Sequence, residues 1–332
     1  MKANSHDHQI YMFSSFGSTN ESAMRYSTVE RTWAVLPPMP RPRQFAASGT
    51  LSFGITSLLC ACVADRQWTD SKVIVAAMRT VTALTHFPPG LLPLIVSFLC
   101  TDSVLLAGGS DTAGNILASA ICYSLDSGTW CSDVPPMSIG RMVPASLVIG
   151  GRMMVFGGFQ QDVGDLTTCE AFDPSSNEWT ALPPMSIPRF GACAVAWEGR
   201  AFVIGGSNGS TILASLECFD PVLNQWSDID IAPMMDTRYR AAAVAVPGRG
   251  LLVMGGRSYN GPLQSAELWD PATNAWRMMA WELPKLFGEL RAHIHNGVLH
   301  IVGRICVPAY TCEAWSMDPS TAIWSPLPPA PI

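Results

Sequence analysis

Three histidines stand close enough along the chain to share a metal: His293, His295 and, beyond the turn signal Asn296-Gly297, His300. If Asn296-Gly297 closes a two-residue hairpin, His293 faces His300, and His295 projects to the same side because strand side chains alternate with period two. Three imidazoles so placed suit a transition metal. A polar hairpin in an irregular repeat accounts for the same residues without a ligand, so no metal and no cofactor are assigned. Glu170, Glu217, Glu267 and Glu313 recur at a regular interval and resemble a ring of acids. Their matched spacing fits a repeated hydrogen-bonding role better than acid chemistry. The 10 cysteines include no CxxC pair, and Cys122, Cys169, Cys193 and Cys218 are isolated from one another. Such cysteines read as small buried hydrophobes of a reduced, cytoplasmic protein. Neither a nucleophile–base pair nor a phosphate-cradling glycine loop is present, so no catalytic residue is assigned and an enzyme is not expected.

What would position any such residues is a repeat. An apolar run ending in two glycines appears before Gly108-Gly109, Gly157-Gly158, Gly205-Gly206 and Gly255-Gly256, with degenerate copies at Phe16-Gly17 and Gly303-Arg304. The second glycines at 109, 158, 206 and 256 set a period of about 49 residues. Trp33, Trp130, Trp179, Trp226, Trp276 and Trp324 follow the same beat. Between the two markers lie Phe172-Asp173-Pro174, Phe219-Asp220-Pro221 and Trp269-Asp270-Pro271. After the tryptophans come Pro38-Met39, Pro136-Met137, Pro184-Met185 and Pro233-Met234, each followed by an arginine: Arg43, Arg141, Arg189 and Arg238.

Four markers recurring in one order resemble the kelch family, whose repeats have this length. The resemblance implies an all-β propeller of six blades, each four-stranded, over residues 9–332. Gly150-Gly151, Glu198-Gly199 and Asn296-Gly297 suit tight hairpins between the first two strands of a blade, where glycine accepts positive φ. The Gly pair ends the second strand where backbones approach closely. Asp-Pro turns join strands three and four, and the tryptophan fills the gap between blades.

Two features break the pattern. Trp33 and Trp130 are 97 residues apart, about twice the period, which places an irregular insertion at 52–101, in the first hairpin of the second blade. Its apolar runs, Leu58 to Cys62 and Leu91 to Val96, are unusual for a surface loop. A regulatory lid and a gene-model error such as a retained intron are the two readings. Excision restores the spacing and favours the second. The first repeat starts at its second strand, Gln9 to Phe13, and the last ends on its fourth, so an incomplete first blade and a fragment of a longer protein are expected.

Composition narrows the partner. Net charge is −6 with no basic run, which disfavours nucleic acid, and no apolar stretch is long enough to span a membrane as a helix. The start lacks the apolar core of a secretory signal. In kelch adaptors, arginines after the Gly pair and two residues beyond the recurring arginine line the channel mouth and grip acidic peptides. Arg257, Arg240 and Arg304 match those places. Tyr259, Asn208 and Ser110 follow the Gly pairs of their repeats and complete the candidate binding set. The resemblance therefore implies a protein-interaction module binding a protein or acidic peptide, as part of a ubiquitin ligase adaptor or as a cytoskeletal binder. A kelch-fold enzyme of the metal-dependent oxidase or lyase kind is the alternative; the copper oxidases of this fold also need tyrosine ligands and a thioether-forming cysteine, which have no counterpart among the tyrosines here.

Overall fold

The computed structural model describes residues 9–13, 23–27, 30, 32–40, 47–52, 102–111, 113–124, 127–131, 133–228, 230–295, 297–305, 311–318 and 321–328. The body of the insertion, Arg43 and the degenerate marker at residues 16–17 lie outside them.

Five sheets have four antiparallel strands each. Blade A comprises Ala47–Ser52, Asp102–Ala107, Ala120–Ser124 and Thr129–Cys131. Blade B comprises Ala145–Ile149, Arg152–Phe156, Cys169–Asp173 and Glu178–Leu182. Blade C is built from Cys193–Trp197, Arg200–Ile204, Leu216–Asp220 and Gln225–Trp226, and blade D from Ala242–Val246, Gly250–Met254, Ala266–Asp270 and Ala275–Met278. Blade E has the longer strands Phe287–His295, Val298–Ile305 and Thr311–Asp318, then Ile323–Pro326. The expected sixth four-stranded blade is absent among the described residues. In its place Gln9–Phe13, Ala23–Ser27 and Thr32–Val35 form a three-stranded sheet. The reason is that residues 9–35 supply only the second, third and fourth strands of a period, with Trp33 on the last.

The second strand of every blade is apolar on both faces because a neighbour covers each side. In blade B, Met153 and Val155 pack with Leu105, Ala107 and Cys122 of blade A, whereas Met154 and Phe156 pack with Ala201, Val203 and Phe219 of blade C. Similar layers join C to D and D to E. Trp33 of the three-stranded sheet packs on Val302, Ala314 and Leu327 at the end of the chain, while Leu36 and Met39 pack on Val104, Leu106 and Ile121 of blade A.

Each marker tryptophan reaches across one of these junctions. The indole N–H of Trp130 donates to Pro37 O (2.9 Å), of Trp179 to Pro135 O (2.8 Å), of Trp226 to Pro183 O (2.9 Å), of Trp276 to Ala232 O (2.7 Å) and of Trp324 to Glu282 O (2.7 Å). Trp33 donates to Pro328 O (2.8 Å), which joins the two ends of the described chain and closes the circle. Each bond adds about 1 kcal/mol beyond the packing of the ring.

Candidate protein-interaction surface

Antiparallel strands alternate in direction, so the loops between second and third strands emerge at the same end as the segments linking one blade to the next. The Gly pairs lie at this end. A buried arginine anchors three of its junctions. Arg141, Arg189 and Arg238 are almost wholly excluded from solvent, at 0%, 0% and 1% exposure. The Nη1 of each donates to the carbonyl of the first glycine of its own blade, Gly157, Gly205 or Gly255, at 2.9 Å. Each also pairs with the recurring glutamate, Glu170, Glu217 or Glu267, at 2.7, 3.0 and 2.9 Å. These carboxylates accept a further backbone N–H from Ser138, Ser186 or Met235. The glutamates are thus fully engaged in the scaffold, as buried charges must be.

The arginine backbones explain the glycines. The second glycine N–H donates to the arginine carbonyl of the next blade: Gly109 to Arg141, Gly158 to Arg189 and Gly206 to Arg238, each at 2.8 Å. A Cβ on Gly157 or Gly205 would collide with the carbonyl of Arg189 or Arg238. Both glycines of each pair also have positive φ, which other residues adopt at a cost.

The two residues beyond each arginine are placed alike in three junctions. The first, Met142, Phe190 or Tyr239, forms a β-bridge with the residue after the Gly pair, Phe159, Ser207 or Arg257. The second, Val143, Gly191 or Arg240, is left-handed, with φ of 50°, 65° and 56°. Gly191 N–H donates to Val143 O (3.1 Å) and Arg240 N–H to Gly191 O (2.7 Å), so these residues form a hydrogen-bonded course around the axis.

Arg240 directly follows Tyr239, the residue bridged to Arg257. The Arg240 guanidinium lies over the Phe190 ring (5.9 Å) and 3.7 Å from Glu289. Phe190 in turn meets Phe159 edge to face (6.1 Å). Tyr259 is 63% exposed, and its hydroxyl accepts the Ile212 N–H of blade C at 2.6 Å. The other assigned residues are placed differently. Asn208 Oδ1 accepts from Thr211 N–H (2.8 Å) and Oγ1 (3.0 Å) and so closes its own turn. Ser110 is buried and bridged to Ile116. Arg304 lies within the second strand of blade E, opposite Glu289 and Cys312, and its side chain is outside the described residues.

Phe190 and Glu289 were not singled out from the sequence, and Phe159 stood there only as the residue after its Gly pair, a break in the ring of arginines. Aligning the repeats on the arginines reveals Phe190. Glu289 is hidden because blade E has Phe287 where the others have arginine. The histidine pairing is as the hairpin predicts: His293 faces His300, and His295 faces Val298. His300 is buried and His293 exposed. Among the described residues no three His, Cys, Asp or Glu side chains are placed to hold a metal. Burial pushes the Cys169 thiol up to about 12 and the Cys218 thiol to about 11, far from the thiolate a nucleophile needs.

A family model described as the KLHDC2/KLHL20/DRC7 Kelch-repeats domain matches residues 96–303. Human Kelch-like protein 23 is 34% identical over 148 residues, covering 44% of this chain and 24% of that protein. An F-box/kelch-repeat protein of Arabidopsis thaliana is 29% identical over 220 residues, covering 48% of this chain and 46% of its own length. Alpha-scruin of Limulus polyphemus is 32% identical over 139 residues, 38% of this chain and 15% of that protein. The chain therefore spans a quarter to a half of the length of the first two relatives. A solved structure, that of YjhT, superposes with a TM-score of 0.67 over 97% of this chain and 95% of its own at 14% identity, a likeness of fold.

Proposed function

Because the chain belongs to the KLHDC2/KLHL20/DRC7 kelch-repeat family, we propose that it is a binding module rather than an enzyme, holding a polypeptide partner across its Gly-pair end. What supports this is that Phe159, Phe190 and Arg240 pack in succession across blades at this end, where Arg257 and Tyr259 follow the Gly pair of blade D. Aromatic and arginine side chains on a rigid base are the composition of interface hot spots. The two guanidinium groups favour an acidic segment of the partner, because planar donors capture carboxylates in pairs. The full protein would act in the cytoplasm as the recognition part of a larger assembly, a ubiquitin ligase adaptor or a cytoskeletal binder. Its net charge of −6 speaks against nucleic acid or an anionic membrane as partner. No helix among the described residues is long and apolar enough to cross a membrane.

The test exploits the repeat. Gly191 occupies the place of Arg240, and Ser207 that of Arg257, so Arg240→Gly with Arg257→Ser installs residues that neighbouring blades already accommodate. Glycine at 240 also relieves a left-handed arginine, a cost of about 1–2 kcal/mol. The double variant should melt no lower than the wild type while losing at least about 30-fold in partner affinity, the scale of a hot spot of about 2 kcal/mol. Affinity capture with quantitative mass spectrometry reads the outcome. Undiminished capture contradicts the proposal.

A further inference from the structure

In blade E the place two residues beyond the buried arginine falls to an acid. Val143, Gly191 and Arg240 hold this place after Arg141, Arg189 and Arg238, and in blade E Phe287 stands for the arginine and Glu289 follows it by two. The ladder gives the same register. Leu290 pairs with Gly303, in the place of the first glycine, and Glu289 with Arg304, in the place of the second. Between Phe287 and Glu289 the pairing shifts as at a β-bulge, a device that redirects a strand and the side chains it carries.

Glu289 thereby meets Arg240. Its Oε1 lies 3.7 Å from Nη1 of the guanidinium, and the two side chains keep 32% and 27% of their surface exposed. The same guanidinium lies over the Phe190 ring at 5.9 Å. An aromatic face supports a guanidinium without consuming its N–H donors, whereas a carboxylate competes for them. The separation decides what the ion pair does. A charge-assisted hydrogen bond closes to about 2.7–2.9 Å, so a pair at 3.7 Å is loose. Water screens such a half-exposed pair, and it contributes little to stability. The junctions are held instead by the buried pairs of Arg141, Arg189 and Arg238, at 2.7, 3.0 and 2.9 Å. What Glu289 does affect is any second carboxylate that approaches Arg240, because two like charges at one guanidinium repel.

We infer that Glu289 is a built-in competitor for Arg240, displaced only when a carboxylate of the bound polypeptide takes the guanidinium. This rests on the proposed capture of an acidic segment at the Gly-pair end and names the residue that limits it. A carboxylate that closes to hydrogen-bond distance, with both oxygens engaged, gains more than the loose pair it breaks. A neutral amide or hydroxyl does not, so the internal acid rejects neutral segments at the cost of some affinity for acidic ones.

The experiment selects a display library of random dodecapeptides on the full chain and measures the chosen peptides by fluorescence polarisation on the wild type, Glu289→Gln, Glu289→Ala, Arg240→Gly and Glu289→Gln with Arg240→Gly. The expected peptides contain aspartate or glutamate and are weakened by Arg240→Gly. Glu289→Gln and Glu289→Ala should each tighten them at least about threefold, the scale of one half-exposed charge pair. The gain should lie in faster association and shrink in about 1 M salt, where charges are screened within a few ångströms. It should vanish when the peptide's acids are replaced by their amides, and also in the Arg240→Gly background. Peptides weakened by Arg240→Gly but unchanged or weakened by both Glu289 variants overturn the competitor and leave the binding end intact. A gain that survives Arg240→Gly also overturns it, because Glu289 then acts elsewhere. Peptides indifferent to Arg240→Gly, or a library that yields no binder, overturn both readings.

Discussion

Arg238→Met is expected to cost about 3–5 kcal/mol of stability, the loss that follows when one partner of a buried ion pair is removed. The side chain of Arg238 donates to Gly255 O and Ser265 O at 2.9 Å and to Ser265 Oγ at 2.7 Å, besides pairing with Glu267 and Asp236. Methionine fills much of the volume but takes a donor from the Gly255 and Ser265 carbonyls and leaves the fully buried Glu267 carboxylate without its cation, held only by the Met235 and Asp236 N–H groups. Blade E shows how the fold dispenses with the arginine. Phe287 takes its place, buried against Gly303, and Trp315, paired with Ile301, stands where Glu267 pairs with Val253 in blade D. Glu313, read from the sequence as the fourth recurring glutamate, is therefore two residues out of register, and the buried arginine–glutamate pair is replaced by a partly exposed Lys285–Glu313 pair at 2.6 Å. Arg238→Met combined with Glu267→Leu should therefore recover part of the loss, since no unpaired charge remains in the junction. Urea denaturation of the wild type, single and double variants measures both effects. A single variant within 1 kcal/mol of wild type would mean that the arginines do not carry the junctions.

Replacing residues 53–101 by Gly-Gly should give a folded protein at least as stable as the full chain. The first hairpin of blade A pairs Ser52 with Asp102, and that of blade B pairs Ile149 with Arg152 across Gly150-Gly151. In blade B the two glycines have φ of 58° and 74°, as a two-residue turn with both residues left-handed requires. The same two residues between Ser52 and Asp102 reproduce that register. Closing a two-residue turn instead of a long loop saves on the order of 3 kcal/mol of chain entropy. Thermal melting and circular dichroism decide the matter. A variant that loses several degrees or fails to fold would show the segment to be a packed part of the protein.

The tight hairpins were legible because turn chemistry and register act over few residues. Trp197 pairs with Arg200 across Glu198-Gly199, as the sequence suggests, and the Asp-Pro turns close as expected. Asp220 Oδ1 accepts the N–H groups of Val222 and Leu223, and Asn177, Asn224 and Asn274 take φ near 50°. The tryptophans were legible as junction residues, but not the carbonyls they reach, because those belong to the preceding blade. The same limit hid the reason for the Gly pairs, whose obstruction comes from an arginine backbone about 32 residues further on, as from Gly157 to Arg189. The site was half legible. Arg240 and Arg257 stood out as departures from the repeat, whereas Phe190 and Glu289 became neighbours of Arg240 only through packing between blades. Asn208 and Ser110 occupy the right loops, yet one closes its own turn and the other is buried, facts of local geometry that spacing does not encode.

Hydrogen–deuterium exchange of the protein with a captured partner bound tests the central claim most directly, because the two ends of the propeller fall in different peptides. New protection is expected in the loops at 157–168, 205–215 and 255–265 and in the linking segments around Phe190 and Arg240. Protection confined to the opposite end, at the turns around Asp173, Asp220 and Asp270, would contradict it.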